Sequence, residues 1–420
     1  MMTERIIATY VIETSFPLEN AVAIMAGEQS SGTFVKVPGE TAELTEKFGA
    51  KVDFIEPIGS FDVPFLLDSK SPAGQLKPIF QRAKVGISWN YENVGSNLPT
   101  LMATVAGNLF ELSQFSGIKL IDIDLPAAYK QHYAGPKFGI AGTQKLTGVY
   151  DRPIIGTIIK PSVGLSPEAT GAQAKSLIEA GLDFIKDDEL LADPPHSPFE
   201  KRVKCCMDVI NRRADETGKK VMFAFNISGE IDDMKRRHDI VLAHGGTCIM
   251  LSLNWVGISA TKYMSDFSQL PIHGHRNGWG MFYRPELMGI TFQVYKKIFS
   301  LAGVDHLHTN GLRNKFCESD ESVLKSIASC QNDAGGSYQV MPVVSSGQWA
   351  DQAADTFKLV GNTNLMYLCG GGITAHPDGM KAGVESIKIA WSEGMKGNQL
   401  SNIADTYPEI KKALEFYGKK

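Results

Sequence analysis

The chain is short of the features that mark several broad classes of protein. No apolar stretch approaches the ~18 residues a membrane-spanning helix needs. The first twenty residues carry Glu4, Arg5 and Glu13 around a short run broken by Thr9, which makes a poor secretory core. Six cysteines, at 205, 206, 248, 317, 330 and 369, form no CxxC pair and no zinc-like spacing. They read as reduced thiols, so the expectation is a cytoplasmic protein that engages no membrane. Neither sign of charge dominates: 42 Lys and Arg against 46 Asp and Glu leave a net charge of −4. Without a basic excess to bind a phosphate backbone, no nucleic-acid partner is expected. Internal repeats and low-complexity tracts are missing too.

What remains is ordinary globular sequence: 420 residues, 43% hydrophobic and 21% charged. That composition excludes wholesale disorder, and the length suits two or three domains or one large barrel plus an addition. The first ~135 residues mix the β-branched runs Arg5–Glu13 and Lys84–Tyr91 with helical spacing over 97–115, the pattern of an α+β sheet domain. From about residue 150 the rhythm changes. Short β-rich runs, at 153–160, 183–186, 221–226, 247–253, 270–275, 304–308, 338–345 and 364–370, are separated by helical stretches such as 167–180 and 198–217. Eight strand–helix alternations predict a C-terminal (β/α)8 barrel. An open doubly wound sheet is the competing reading; polar residues at nearly every strand end favour the barrel. The domains are expected at 1–135 and 136–420, with 135–150 as the joining segment.

In such a barrel the strand C-terminal ends share one face, and that face holds the active site. Read in order, those ends are Lys160, Lys186-Asp187-Asp188-Glu189, Asn226, Asn254, His275-Arg276, His308, Ser345-Ser346-Gly347 and Gly370-Gly371-Gly372. In GLDFIKDDE, strand alternation puts Lys186 and Asp188 on one face, with Glu189 where the strand becomes loop. Two carboxylates this close repel unless a cation sits between them, and hard oxygen ligands favour magnesium. A neutral lysine amine can add carbon dioxide and become an anionic carbamate ligand, an addition that burial assists. Taken alone, such a run also suits a solvated loop. Lys160 closes an apolar strand and reads as a general base with a lowered pKa, or as an ordinary snorkelling lysine. His275-Arg276 and His308 suit phosphate binding or proton transfer, whereas His273 and His306, two residues earlier, lie deeper and are expected to hydrogen-bond and pack. Ser345–Gly347 and Gly370–Gly372 fit the phosphate cradle that loops after the last two strands often form. The segment 310–315 (NGLRNK) reads as a lid with a lysine near its tip.

Taken in order, GTIIKP, GLDFIKDDE, HGHR, DHLH and CGGG resemble the large subunit of ribulose-1,5-bisphosphate carboxylase, and more closely the RuBisCO-like proteins. The resemblance spans nearly the whole chain and includes GEQSSGTF and VAGNLF near its start. It implies an N-terminal ferredoxin-like α+β domain beside the barrel. It also implies a magnesium ion held by Lys186, carbamylated by CO2, together with Asp188 and Glu189. Lys160 then matches the lysine that takes the enolising proton, His275 an active-site histidine near the substrate hydroxyls, and Lys315 the lid lysine that holds a carboxylate. Arg276, His308 and Ser345 match one phosphate site; Thr33, Gly347, Gly370 and Gly371 match the other. The family's site lies at a dimer interface, so Glu28, Thr33 and Asn108 would come from the partner chain of a homodimer.

Departures from the carboxylase pattern bear on activity. Ser162 stands where the carboxylase has a second lysine, Ile158 replaces a threonine, Phe34 a tryptophan and Trp279 a histidine. Losing a charge beside the reaction centre argues against carboxylation of ribulose bisphosphate. HGHRNGWG and NGLRNKF resemble the non-photosynthetic branch that breaks down carbohydrate acids. That branch implies a carboxy-lyase decarboxylating a phosphorylated 3-oxo sugar acid, 3-oxo-isoapionate 4-phosphate, through a metal-stabilised enediolate. The alternatives are enolisation or isomerisation of a methylthio-pentulose phosphate in methionine salvage, and a non-catalytic RuBisCO-like protein.

Overall fold

The computed structural model describes residues 4–31 and 37–418. Contacts divide the chain into two compact units. The first comprises Met1–Ala134, Gly278–Leu301 and Asp333–Tyr338; the second comprises Gly135–Asn277, Ala302–Asn332 and Gln339–Lys420.

In the first unit, β1 (Arg5–Thr14), β2 (Lys51–Phe61), β3 (Phe80–Asn90) and β4 (Phe115–Asp124) are antiparallel neighbours in the spatial order β4-β1-β3-β2. Period-two alternation in β1 sends Ile6, Ala8, Tyr10 and Ile12 into the core. Pro57 and two register shifts are tolerated in β2 because it is the edge strand and largely exposed. The helix expected across 97–115 is shorter. It runs Leu98–Ala106, its first turn capped by the Asn97 side chain on Thr100 N–H, and the chain then turns through Asn108–Glu111 into β4.

The second unit is a closed barrel of eight parallel strands: β5 (Ile154–Ile158), β6 (Phe184–Lys186), β7 (Met222–Asn226), β8 (Cys248–Ser252) and β9 (Ile272–His275) come first. Between β9 and the sixth barrel strand lies β10 (Met288–Ile290), which leaves this unit and pairs parallel to β4, so that 278–301 groups with the first unit. The barrel resumes with β11 (His306–His308), β12 (Met341–Val344) and β13 (Met366–Leu368), and β13 closes it against β5. The competing open sheet is thereby excluded. Inward residues such as Phe184, Met222, Met250, Met341 and Met366 fill the interior, and Gly156 has no room for a Cβ, which would lie 2.5 Å from Leu368.

The segment 135–150, expected to join two domains, contains the helix Gly139–Thr147 within the second unit. Asp305, buried at the start of β11, accepts the Phe138 and Gly139 N–H groups and anchors it. Composition concealed this helix, because glycine and threonine are weak helix formers that tertiary anchoring overrides.

Candidate active site

At the end of β6 the alternation separates neighbouring charges. Asp187 turns outward, where its Oδ2 accepts Arg202 Nη2 (3.3 Å) and Asn226 N–H (3.0 Å). Burial pushes the Asp187 carboxyl up despite the nearby Arg202 guanidinium. Lys186 turns inward and is 1% exposed. Its Nζ donates to Asp187 O (2.8 Å), lies 3.7 Å from Met250 Sδ and 3.8 Å from Glu189 Oε2. Burial lowers the Lys186 pKa against the pull of Glu189 and Asp188, which raises the share of neutral, nucleophilic amine.

Asp188 shares the inward face and accepts Lys160 Nζ at 2.7 Å; the same ammonium donates to Ser162 Oγ, also at 2.7 Å. Burial pushes the Asp188 carboxyl up, but hydrogen bonds from Lys160 and Ser162 outweigh it and hold the pKa below the usual value. Ser162 thus accepts a hydrogen bond from Lys160 where a second lysine would repel it. Two further side chains hold this loop. Asn226 Nδ2 donates to the carbonyls of Asp188 (3.3 Å) and Glu189 (3.1 Å). Gln173, in the helix Pro167–Glu179, brackets the Lys160 backbone through both its amide atoms (3.1 and 2.6 Å). Sequence reasoning missed Gln173, which is one polar residue among several in an amphipathic helix.

Among the described residues, no group of three His, Cys, Asp or Glu side chains is arranged to hold a metal ion. The donor set on this face is two carboxylates and a lysine. It fits a hard divalent cation on one condition, that the buried Lys186 amine becomes a carbamate and supplies the third anionic oxygen.

His275 accepts Asn277 N–H on Nδ1 (3.2 Å) and places Nε2 3.5 Å from Glu189 Oε2. Burial, then Lys186, lower its pKa to about 4, so the ring is neutral and its proton sits on Nε2, facing Glu189. His308 Nδ1 lies 3.1 Å from Ser345 Oγ. Arg276, matched to the same phosphate site, donates instead to Glu318 Oε2 (2.8 Å), and both groups are buried. Glu318, which sequence reasoning also missed, takes Asn310 Nδ2 as well (2.6 Å) and ties Arg276 to the base of the 310–315 segment.

That segment is fastened down. Arg313 pairs with Asp351 (3.0 Å) and Asp355 (2.8 Å), Leu312 is buried, and Lys315 N–H donates to Ser346 O (3.1 Å). Asn310, Arg313 and Ser346 adopt left-handed backbone, which non-glycine residues hold only where their surroundings impose it. Lys315 Nζ lies 5.1 Å from the Phe316 ring centroid, and the Lys315 stem runs beside Gly347. The two glycine clusters divide by role. Gly370 faces Ile158 and the Lys160 stem, and the space beside Gly371 is open, whereas Gly372 is glycine because a Cβ would strike Gln348 O at 2.4 Å. Glu28 and Asn108 are exposed in the first unit; Thr33 and Phe34 lie outside the described residues.

Two families match the chain in sequence. The ribulose bisphosphate carboxylase large chain, catalytic domain, matches residues 139–417, and the N-terminal domain of the same chain matches residues 2–129. A protein of Xanthobacter autotrophicus called 3-oxo-isoapionate-4-phosphate transcarboxylase/hydrolase is 49% identical, across 99% of this chain and 100% of that one. A Rhizobium etli protein called 3-oxo-isoapionate-4-phosphate decarboxylase is 41% identical over 96% of each chain. The crystal structure of a rubisco-like protein from Burkholderia fungorum superposes with a TM-score of 0.90 at 41% identity, covering 98% of this chain and 99% of that one.

Proposed function

The chain belongs to the ribulose bisphosphate carboxylase large-chain family, and from that premise we propose that it is a RuBisCO-like carboxy-lyase, not a true carboxylase. Its substrate is a phosphorylated 3-oxo sugar acid of the 3-oxo-isoapionate 4-phosphate type. The observation that carries the reading is the buried Lys186 amine beside Asp188 and Glu189, with Ser162 where a carboxylase has lysine. Named relatives at 41% and 49% identity support the substrate class.

Carbamylated Lys186, Asp188 and Glu189 would hold a magnesium ion. That ion would draw off the negative charge of an enediolate oxygen. Lys315 receives the substrate carboxylate until the C–C bond breaks. The bonding pair then moves toward the 3-oxo group, carbon dioxide departs and an enediolate remains. Lys160, hydrogen-bonded to Asp188, hands a proton to the enediolate carbon and regains one from solvent. The neutral His275 offers its Nε2 proton to a substrate hydroxyl. Arg276, His308 and Ser345 form one phosphate site; Gly347, Gly370, Gly371 and Thr33 form the other. Glu28, Thr33 and Asn108 of a second copy complete the site in a homodimer. A methylthio-pentulose substrate would give Lys315 nothing to bind.

A second outcome at the same site has its own support. The relative at 49% identity is called a transcarboxylase/hydrolase, which would keep the carboxyl carbon within the products. Incubation with 3-oxo-isoapionate 4-phosphate and magnesium separates the two. Decarboxylation releases one equivalent of carbon dioxide, whereas transfer and hydrolysis release none and leave all the carbon in soluble products. If neither outcome is seen, the substrate assignment fails.

A further inference from the structure

His273, His306 and His308 lie buried among the apolar side chains of the barrel interior. His306 pairs in register with His273 on the neighbouring strand, and His308 lies one inward position nearer the mouth. Together with two hydroxyls they form an unbroken chain. Ser345 Oγ lies 3.1 Å from His308 Nδ1, and His308 Nε2 lies 2.9 Å from His273 Nε2. His273 Nδ1 lies 3.3 Å from His306 Nδ1, and His306 Nε2 lies 2.8 Å from Thr143 Oγ1, in the helix Gly139–Thr147. Thr143 donates onward to Gly139 O at 2.5 Å.

Burial lowers the pKa of each ring, that of His306 to about 3, so all three are neutral. A neutral imidazole has one N–H and one lone pair, so each link dictates the direction of the next. Two patterns satisfy every atom. In the inward setting the protons point from Ser345 toward Gly139 O, with His308 and His306 protonated on Nε2 and His273 on Nδ1. In the outward setting Thr143 donates to His306, all three tautomers are reversed, and the Ser345 hydroxyl is free to donate to the mouth. Any mixed pattern sets two donors or two acceptors face to face in a buried site, which is costly. Both patterns carry the same protons: two hydroxyls rotate, and each ring exchanges an N–H on one nitrogen for one on the other. Thr143 Oγ1 lies against Gly139 O, an oxygen that can only accept, and this favours the inward setting.

We propose that Thr143, His306 and His273 are positioning residues that set the direction of this chain, and that an anion at Ser345 draws it into the outward setting. A charged phosphate oxygen only accepts hydrogen bonds, so where it meets Ser345 the hydroxyl must turn its proton to it and His308 must back Ser345 from Nδ1. The inference rests on the reading that Ser345 and His308 hold a phosphate.

Selective ¹⁵N-histidine labelling of the full chain, with and without inorganic phosphate, tests it. The free protein is expected to show Nε2–H on His308 and His306 and Nδ1–H on His273; saturating phosphate is expected to reverse all three together. Thr143→Val should scramble the tautomers and weaken phosphate binding roughly tenfold, and Thr143→Ser should restore both. Should the valine variant not fold, the wild-type titration decides alone. Bound phosphate with unmoved tautomers, or a folded valine variant that behaves as wild type, overturns this inference and leaves the phosphate site standing. Phosphate affinity that ignores Ser345→Ala overturns the phosphate assignment and the inference with it.

Discussion

Asp183 and Lys186 bracket the same barrel strand, β6, and the charges at its two ends are handled in opposite ways. At the entry, Asp183 is fully buried and saturated: Arg152 grips both its oxygens (2.6 and 3.0 Å), Lys219 donates at 2.5 Å and Ile155 N–H at 3.0 Å. At the exit, Lys186 has a backbone carbonyl at 2.8 Å and, among the described residues, its nearest carboxylate at 3.8 Å, and Asp188 takes its partner from another strand end. The entry spends its charges on one another, as a stability face does. The exit leaves them to be rearranged by a ligand, as expected of the face where barrel enzymes work.

Lys186→Ala should break this contrast most severely. It is expected to lower kcat/KM at least about 10³-fold with little change in Tm, and chelation of divalent ions in the wild type should do the same until magnesium and bicarbonate are returned. Near-normal turnover in the variant would remove the metal site from the proposal. At the other end, Asp183→Asn should cost about 3 kcal/mol in denaturant unfolding, because it leaves Arg152 without its charge partner, while the folded fraction stays active. The Asp183 pKa is low despite burial, since Arg152 and Lys219 outweigh desolvation. Its contribution is therefore complete above the unfolded value of about 3.9 and fades as pH falls through the lower folded value. The stability gap between wild type and Asp183→Asn should narrow below about pH 4; a constant gap would mean that the carboxylate charge is not what stabilises.

Lys315→Ala sharpens the comparison on the exit side. Carbon dioxide release should fall roughly 10²-fold with unfolding unaltered, and an undiminished rate would point to a substrate without a carboxylate. The smallest effect is expected from Gln173→Ala, which removes two hydrogen bonds to the Lys160 backbone. A loss of about 1 kcal/mol in stability should accompany a severalfold fall in kcat with KM nearly constant. A change in KM alone would mean that Gln173 serves binding rather than the placement of Lys160.

Much of this is legible in the sequence. Eight alternating units announced the barrel, and the period of two in GLDFIKDDE separated Asp187 from Lys186 and Asp188. The deeper placement of His273 and His306 followed from the same period, but that they join end to end with Thr143 did not, because Thr143 belongs to a segment whose composition disguised a helix. Arg276 was matched to a phosphate, and its bond to Glu318 was invisible because the partner lies 42 positions away across a loop.

The amino-acid order alone settled the strand–helix rhythm and which side chains of a strand share a face, because alternation and helical spacing are local consequences of backbone geometry. Closure of the barrel decided which strand ends meet. Lys160 found Asp188, β10 left for the other sheet, and three histidines lined up behind Ser345. Such partners are selected by register and burial across elements distant in sequence, and nothing in a single strand's pattern encodes them.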